Sequence, residues 1–180
     1  MKWKKQAIVS RSIVLLFLIC VFPHFSSAQD QLPLHLKQCS NHTNEAWRYG
    51  QETANILEFN NGASDLEMIR EYCFQALSAM DSIGVKLQQA VYSADDATFA
   101  AKNQDLAAIA KAAIECKSEL QSAMSSLNES KKYLRIVLDE VDTTAINELF
   151  FHTMEHLNDS RQLIRQVQRK LNNTSKSLTK

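Results

Sequence analysis

Residues 73–116 read CFQALSAMDSIGVKLQQAVYSADDATFAAKNQDLAAIAKAAIEC, and this stretch decides the fold. Leu66, Ile69, Cys73, Leu77, Met80, Leu87 and Val91 recur at the three- and four-residue intervals that gather apolar side chains on one helix face. Phe99, Leu106, Ile109, Ala113, Cys116, Leu120 and Leu127 repeat the pattern, and Ser93-Ala94-Asp95-Asp96 reads as the break between the two segments. A break that short makes the helices antiparallel neighbours. Counted from Asp95, Cys73 lies 22 residues before and Cys116 lies 21 residues after. At an equal rise of about 1.5 Å per residue the two sulfurs meet at one height, which reads as an inter-helix disulfide.

The remaining chain extends this pattern. Beyond Pro33 there is no proline, and the glycines are Gly50, Gly62 and Gly84, so the punctuation of strands and turns is missing and long helices are favoured. After an entry segment at 29–38, a first helix is predicted over about residues 42–58, with Trp47, Ala54 and Leu57 inward and Asn60-Asn61-Gly62 as its stop. Ser64 or Asp65 caps the second helix, and Asp95 or Asp96 suits the free amides at the start of the third. Residues 129–171 carry a last stripe through Leu134, Leu138, Val141, Ala145, Leu149, His156 or Leu157, Ile164, Val167 and Leu171, as one helix or as two broken at Asp142-Thr143-Thr144. The expected architecture is all-α: an up-and-down bundle of four long helices over residues 29–171, with a frayed tail at 172–180.

Residues 1–28 read as a secretory signal peptide. Lys2, Lys4, Lys5 and Arg11 form its basic start, Ile13 to Phe22 its apolar run, and Ser26-Ser27-Ala28 its cleavage site. The run falls short of the ~20 residues a spanning helix needs, so membrane contact is expected only during export. Cleavage removes those four of the 20 cations and none of the 20 acids, leaving a net charge of −4. A weakly acidic surface of this kind argues against a nucleic-acid partner. Cleavage also removes Cys20, so a Cys73–Cys116 bridge leaves Cys39 as an odd thiol. Sequons at Asn41, Asn128, Asn158 and the overlapping Asn172 and Asn173 are expected to carry glycans on the surface of an extracellular protein.

The sharpest enzyme-like signal is His152-Thr153-Met154-Glu155-His156, which has the H-x-x-E-H form of a zinc hydrolase site. A third ligand is wanting: after His156 the one acid is Asp159, three residues on, so the pair reads as two histidines on a partly exposed face. No phosphate-cradling glycine loop, G-x-S-x-G elbow or C-x-x-C pair occurs. Cys39 beside His35 or His42 lacks an orienting shell, and Asp95-Asp96 and Asp139-Glu140 are neighbours that point apart on a helix. No catalytic residue, metal or cofactor is called for. Phe74, Phe99, Phe150 and Phe151 are candidates for the core, with Phe150-Phe151 also a candidate interface, since both rings of a helical neighbour pair are rarely buried together.

Three stretches carry a resemblance: Cys73-Phe74-Gln75 through Leu87-Gln88-Gln89-Ala90, then Asp95-Asp96-Ala97-Thr98-Phe99-Ala100, then Ala112-Ala113-Ile114-Glu115-Cys116. Together with Cys39-Ser40-Asn41-His42-Thr43, they resemble the plant invertase and pectin methylesterase inhibitors, which are secreted, disulfide-bonded four-helix bundles. Trp47-Arg48 stands where that family closes its first hairpin with cysteine, and of its Pro-Lys-Phe contact motif only Phe99 is matched. The resemblance implies a non-enzymatic inhibitor that occludes the cleft of a cell-wall carbohydrate-active enzyme, with Asp95, Asp96 and Phe99 as contact residues. A secreted cytokine-like or lipid-binding helical protein is the alternative from another class, and the zinc hydrolase a third.

Overall fold

The computed structural model describes residues 31–60 and 65–178. The expected signal segment at 1–28, Gly62 and Ser64 lie outside them. Four helices follow in chain order: α1 Gln31–Asn60, α2 Leu66–Asn103, α3 Ala107–Asp139 and α4 Thr143–Leu178. No strand occurs among the described residues. Neighbours run antiparallel, and α1 closes the bundle against α4. Ion pairs between helices fix the register: Glu45 with Lys86 at 2.6 Å, Asp95 with Lys117 at 2.8 Å, Asp81 with Lys131 at 2.6 Å, and Lys170 with Glu115 and Glu119 at 3.0 and 2.7 Å. At least one partner of each pair is solvent-exposed and screened, so alignment is their main effect.

The buried residues explain why the four helices associate. On α4 they are Ile146, Phe150, Thr153, Leu157, Ser160, Ile164, Val167, Leu171 and Thr174, in strict alternation of four- and three-residue steps. The same alternation runs from Leu32 to Leu57 on α1, from Ile69 to Ala101 on α2 and from Ile109 to Val137 on α3. A seven-residue repeat keeps one seam inward only if the helices wind round one another with a left-handed twist. The largest sealed side chains, among them Met80, Leu87, Leu120, Leu134 and Ile164, each contribute roughly 1.5–3 kcal/mol by leaving water. Alanines occupy much of the inward line where α2 ends and α3 begins: Ala90, Ala94, Ala97 and Ala101 face Ala110 and Ala113 there.

The connections lie where backbone groups can be satisfied. Asp65 caps α2 by accepting from the Glu67 amide at 3.0 Å, as its residue type predicts. Between α2 and α3 the Leu106 amide donates to the Ala101 carbonyl at 2.9 Å and the Asp105 amide to the Lys102 carbonyl at 3.2 Å. With Asp105 at φ 55°, this is the paired-bond stop that usually recruits glycine. Asp142 caps α4 by accepting from the Thr144 and Ala145 amides at 2.8 and 3.4 Å.

Several expectations are corrected. Ser93-Ala94-Asp95-Asp96 is no break; it lies inside α2, where Ser93 and Ala94 are buried. The turn falls at Gln104-Asp105-Leu106, so Cys73 stands 32 residues before Asp105 and Cys116 only 11 after it. That mismatch of 21 residues separates the two sites by roughly 30 Å along the bundle, against the ~4.4–6.8 Å between Cα atoms that a disulfide needs. Cys73 and Cys116 are therefore not bridged. Residues 31–38 belong to α1 rather than to an entry segment, Pro33 sits in its first turn, and α4 continues to Leu178 instead of fraying at Asn172.

Two substitutions separate the true turn from the expected one. Asp105→Gly removes the cost of a left-handed non-glycine residue and is expected to raise unfolding free energy by about 0.5–1 kcal/mol. Asp95→Pro breaks the ladder inside α2 and is expected to lower it by ~3 kcal/mol or more. Urea denaturation followed by circular dichroism reads both, and tolerance of proline at position 95 would contradict the continuous helix.

Candidate functional site

The inward line of α2 determines what faces outward. Val85, Tyr92 and Phe99 lie seven residues apart, opposite the core, with exposures of 56, 61 and 69 %, comparable to those of Phe74, Val141 and Phe151 elsewhere; their alignment on one helix face sets them apart. Two seven-residue steps at helical rise make the row about 21 Å long. Asp95 and Asp96 flank it. Asp95 accepts from the Lys117 ammonium at 2.8 Å, while the exposed Asp96 carboxylate stands 3.9 Å from His35 Nδ1. The predicted contact residues Asp95, Asp96 and Phe99 thus share one surface, on a helix face rather than in a turn. Phe99 does not begin a core stripe. Val85 and Tyr92 were missed, although their seven-residue spacing from Phe99 on the polar side of the helix was the available signal.

The other aromatic candidates separate. Phe150 is buried, whereas Phe151 and Phe74 are exposed. Phe74 borders an open groove of about 540 Å³ on the α1–α2 seam, with Tyr49 and Ile56 on its other wall. His152 and His156 stack on Tyr133 of α3, with ring centroids 5.2 and 5.6 Å apart, and His152 Nδ1 lies 3.5 Å from Glu155. The H-x-x-E-H segment therefore joins α4 to α3 through an aromatic stack, and no third metal-ligating side chain joins it among the described residues.

The sequons have a common geometry. Asn41, Asn128, Asn158, Asn172 and Asn173 are all exposed, but Thr43, Ser130, Ser160 and Thr174 lie on the inward seams. Thr43 donates to the Cys39 carbonyl at 2.6 Å, and Ser130 donates across to the Thr153 carbonyl of α4 at 2.7 Å. An asparagine two residues before an inward position falls on the outer face, so the sequons at Asn41, Asn128, Asn158 and Asn172 point outward at one end and inward at the other, while in Asn173-Thr174-Ser175 both ends are exposed.

Among the described residues, Cys39, Cys73 and Cys116 are all sealed in the core. Burial pushes the Cys39 thiol up to about 11, partly offset by Thr43, and its Sγ lies 3.4 Å from the Ala90 carbonyl it donates to. Burial pushes Cys116 up to about 12, with Cys39 and Glu119 adding to the rise. A thiol held protonated in an apolar core is a poor nucleophile, so neither residue has the microenvironment of a reactive cysteine.

Because both thiols ionise near 9.0 when exposed and only near 11 and 12 when folded, the unfolded chain releases these protons first. Their stabilising effect is full below pH 9 and is lost as pH rises through that window. The urea midpoint should fall between pH 9 and 11, and less steeply in a Cys39→Ala/Cys116→Ala variant. A thiol reagent at pH 8 should label none of Cys39, Cys73 and Cys116 until denaturant is added; rapid labelling of any of these three in the native chain, read by peptide mass mapping, would contradict the sealed core.

No family model matches this chain, and no curated protein or solved structure matches it either.

Proposed function

We propose that this chain is an exported, non-enzymatic binding module that acts through the outward face of α2. The observation that carries this reading is the row of Val85, Tyr92 and Phe99, held exposed on a helix whose opposite face is buried along its whole length. Exposed apolar rows of this kind favour partner contact. The 38 residues of α2 are held by α1 on one side and α3 on the other, so little backbone order remains to be lost on docking. Aromatic anchors beside carboxylates also suit a mixed apolar and cationic surface on the partner.

The partner class rests on the resemblance: a secreted carbohydrate-active enzyme, pectin methylesterase or invertase, whose cleft is occluded by Asp95, Asp96 and Phe99. On this reading the chain supplies shape and charge and makes no bond. Glycans at the outward sequons and removal of residues 1–28 belong to the same proposal.

Inhibition of pectin methylesterase and acid invertase at stoichiometric amounts is the direct test. Phe99→Ala should weaken inhibition roughly 30-fold, the scale of a central aromatic contact, with an unchanged melting temperature because the ring is exposed. If neither enzyme is slowed and lipid co-purifies, the inhibitor reading fails and a carrier using the Phe74 groove replaces it.

A further inference from the structure

The geometry points to a binding site for a small oxyanion on the α1–α4 seam, formed by Arg161 and Arg165 of α4 with Trp47 of α1. The two guanidinium carbons lie 5.0 and 4.1 Å from the centroid of the one indole ring. Arg161 donates from one terminal nitrogen to Asn158 Oδ1 at 2.8 Å and from the other to Gln51 Oε1, and both acceptors are neutral. Its Nε is buried and donates to nothing. Of five N–H donors, the side chain uses two. Elsewhere the inter-helix lysines Lys86, Lys117, Lys131 and Lys170 each meet a carboxylate, and Arg70 donates across to the Leu138 carbonyl at 3.1 Å. Among the described residues, neither Arg161 nor Arg165 meets a carboxylate.

Two like charges held one helical turn apart over the same ring repel each other. Burial and the neighbouring Arg165 both favour loss of charge at Arg161, while Glu58 opposes them from a distance. An oxyanion is the group that relieves this arrangement, because a guanidinium fork matches the paired oxygens of carboxylate, sulfate or phosphate. Arg165 is exposed and stacks on Trp47, so it can turn outward to meet a ligand without moving the backbone. Farther along the seam Gln168 donates to Asn44 Oδ1 at 2.9 Å, adding amide groups that hydrogen-bond to neutral parts of a ligand. A small ligand is indicated over a long polymer, since the net charge of −4 after residue 28 repels an extended polyanion. The site is independent of the α2 face, from which α4 lies diagonally across the bundle.

The test is a titration of the unglycosylated, nitrogen-15-labelled full chain with sodium sulfate, sodium phosphate or sodium acetate, each against sodium chloride at matched ionic strength. Nuclear magnetic resonance follows the Arg161 Nε–H and the Trp47 indole N–H. Saturable shifts with at least one oxyanion and none with chloride are expected, and the three probes separate a tetrahedral from a carboxylate ligand. Arg165→Gln should weaken that binding about tenfold, the scale of one charged hydrogen bond, with an unchanged melting temperature. Linear shifts equal in every salt, or an Arg165→Gln variant that binds like the wild type, would overturn the site.

Discussion

Every other feature of the molecule depends on the unbroken inward line carried by each helix. With steps of four and three residues from end to end, a side chain's environment is set by its place in a repeat of seven more than by its chemical type. Phe150 and Phe99 show this: the first falls on the line of α4 and is sealed, the second lies opposite the line of α2 and is exposed. Gly50 occupies the line of α1, where a Cβ would come within 3.1 Å of the Arg161 stem. The missing side chain there leaves room for the α4 arginine to cross the seam and reach Trp47. Hydroxyls enter the line at little cost because most bond to a carbonyl one turn back, as Thr43, Thr53, Thr153 and Thr174 do.

The helical class was legible from composition and three-four spacing, and Asp65 and the break at Asp142-Thr143-Thr144 were among the alternatives the sequence offered; a last region starting near Glu129 is corrected, since residues 129–139 complete α3. The misplaced turn has a physical cause. Asp95-Asp96 resembles a helix start because acids favour that position, but acids are equally at home on the solvated side of a long helix, where Lys117 meets Asp95. The true stop at Gln104-Asp105-Leu106 carries no glycine, and its signature is a pair of backbone bonds around a left-handed aspartate that composition does not announce. One displaced turn then carried two further errors with it. It set Cys73 and Cys116 at equal heights, and it turned Phe99 inward. The equal-rise argument itself is sound; its origin was about ten residues too early.

The sequons show how one pattern can answer two constraints. A bundle that places serine or threonine on its inward line and asparagine on its outer face produces the sequence Asn-x-Ser/Thr wherever the two are two residues apart, with or without a glycan. The buried hydroxyl has a mechanical consequence as well. A glycan-transferring enzyme must engage the hydroxyl residue along with the asparagine, and in the folded bundle Thr43, Ser130 and Ser160 are inaccessible. If Asn41, Asn128 or Asn158 carried a glycan, its transfer would have to precede docking of the helices, because the paired hydroxyl is sealed once they pack.

That ordering bears on which surface is left for contact. The five asparagines are distributed over α1, α3 and α4, while α2 carries no sequon. Glycans attached before folding would project from three helices once the bundle closes and would leave α2 bare along its outward row. An apolar surface kept clear in this way is exposed to solvent at a free-energy cost that covering glycans would have reduced, and the core gains nothing from it, since Val85, Tyr92 and Phe99 touch the side of α2 that packing does not use. It is a face that the fold neither needs nor hides.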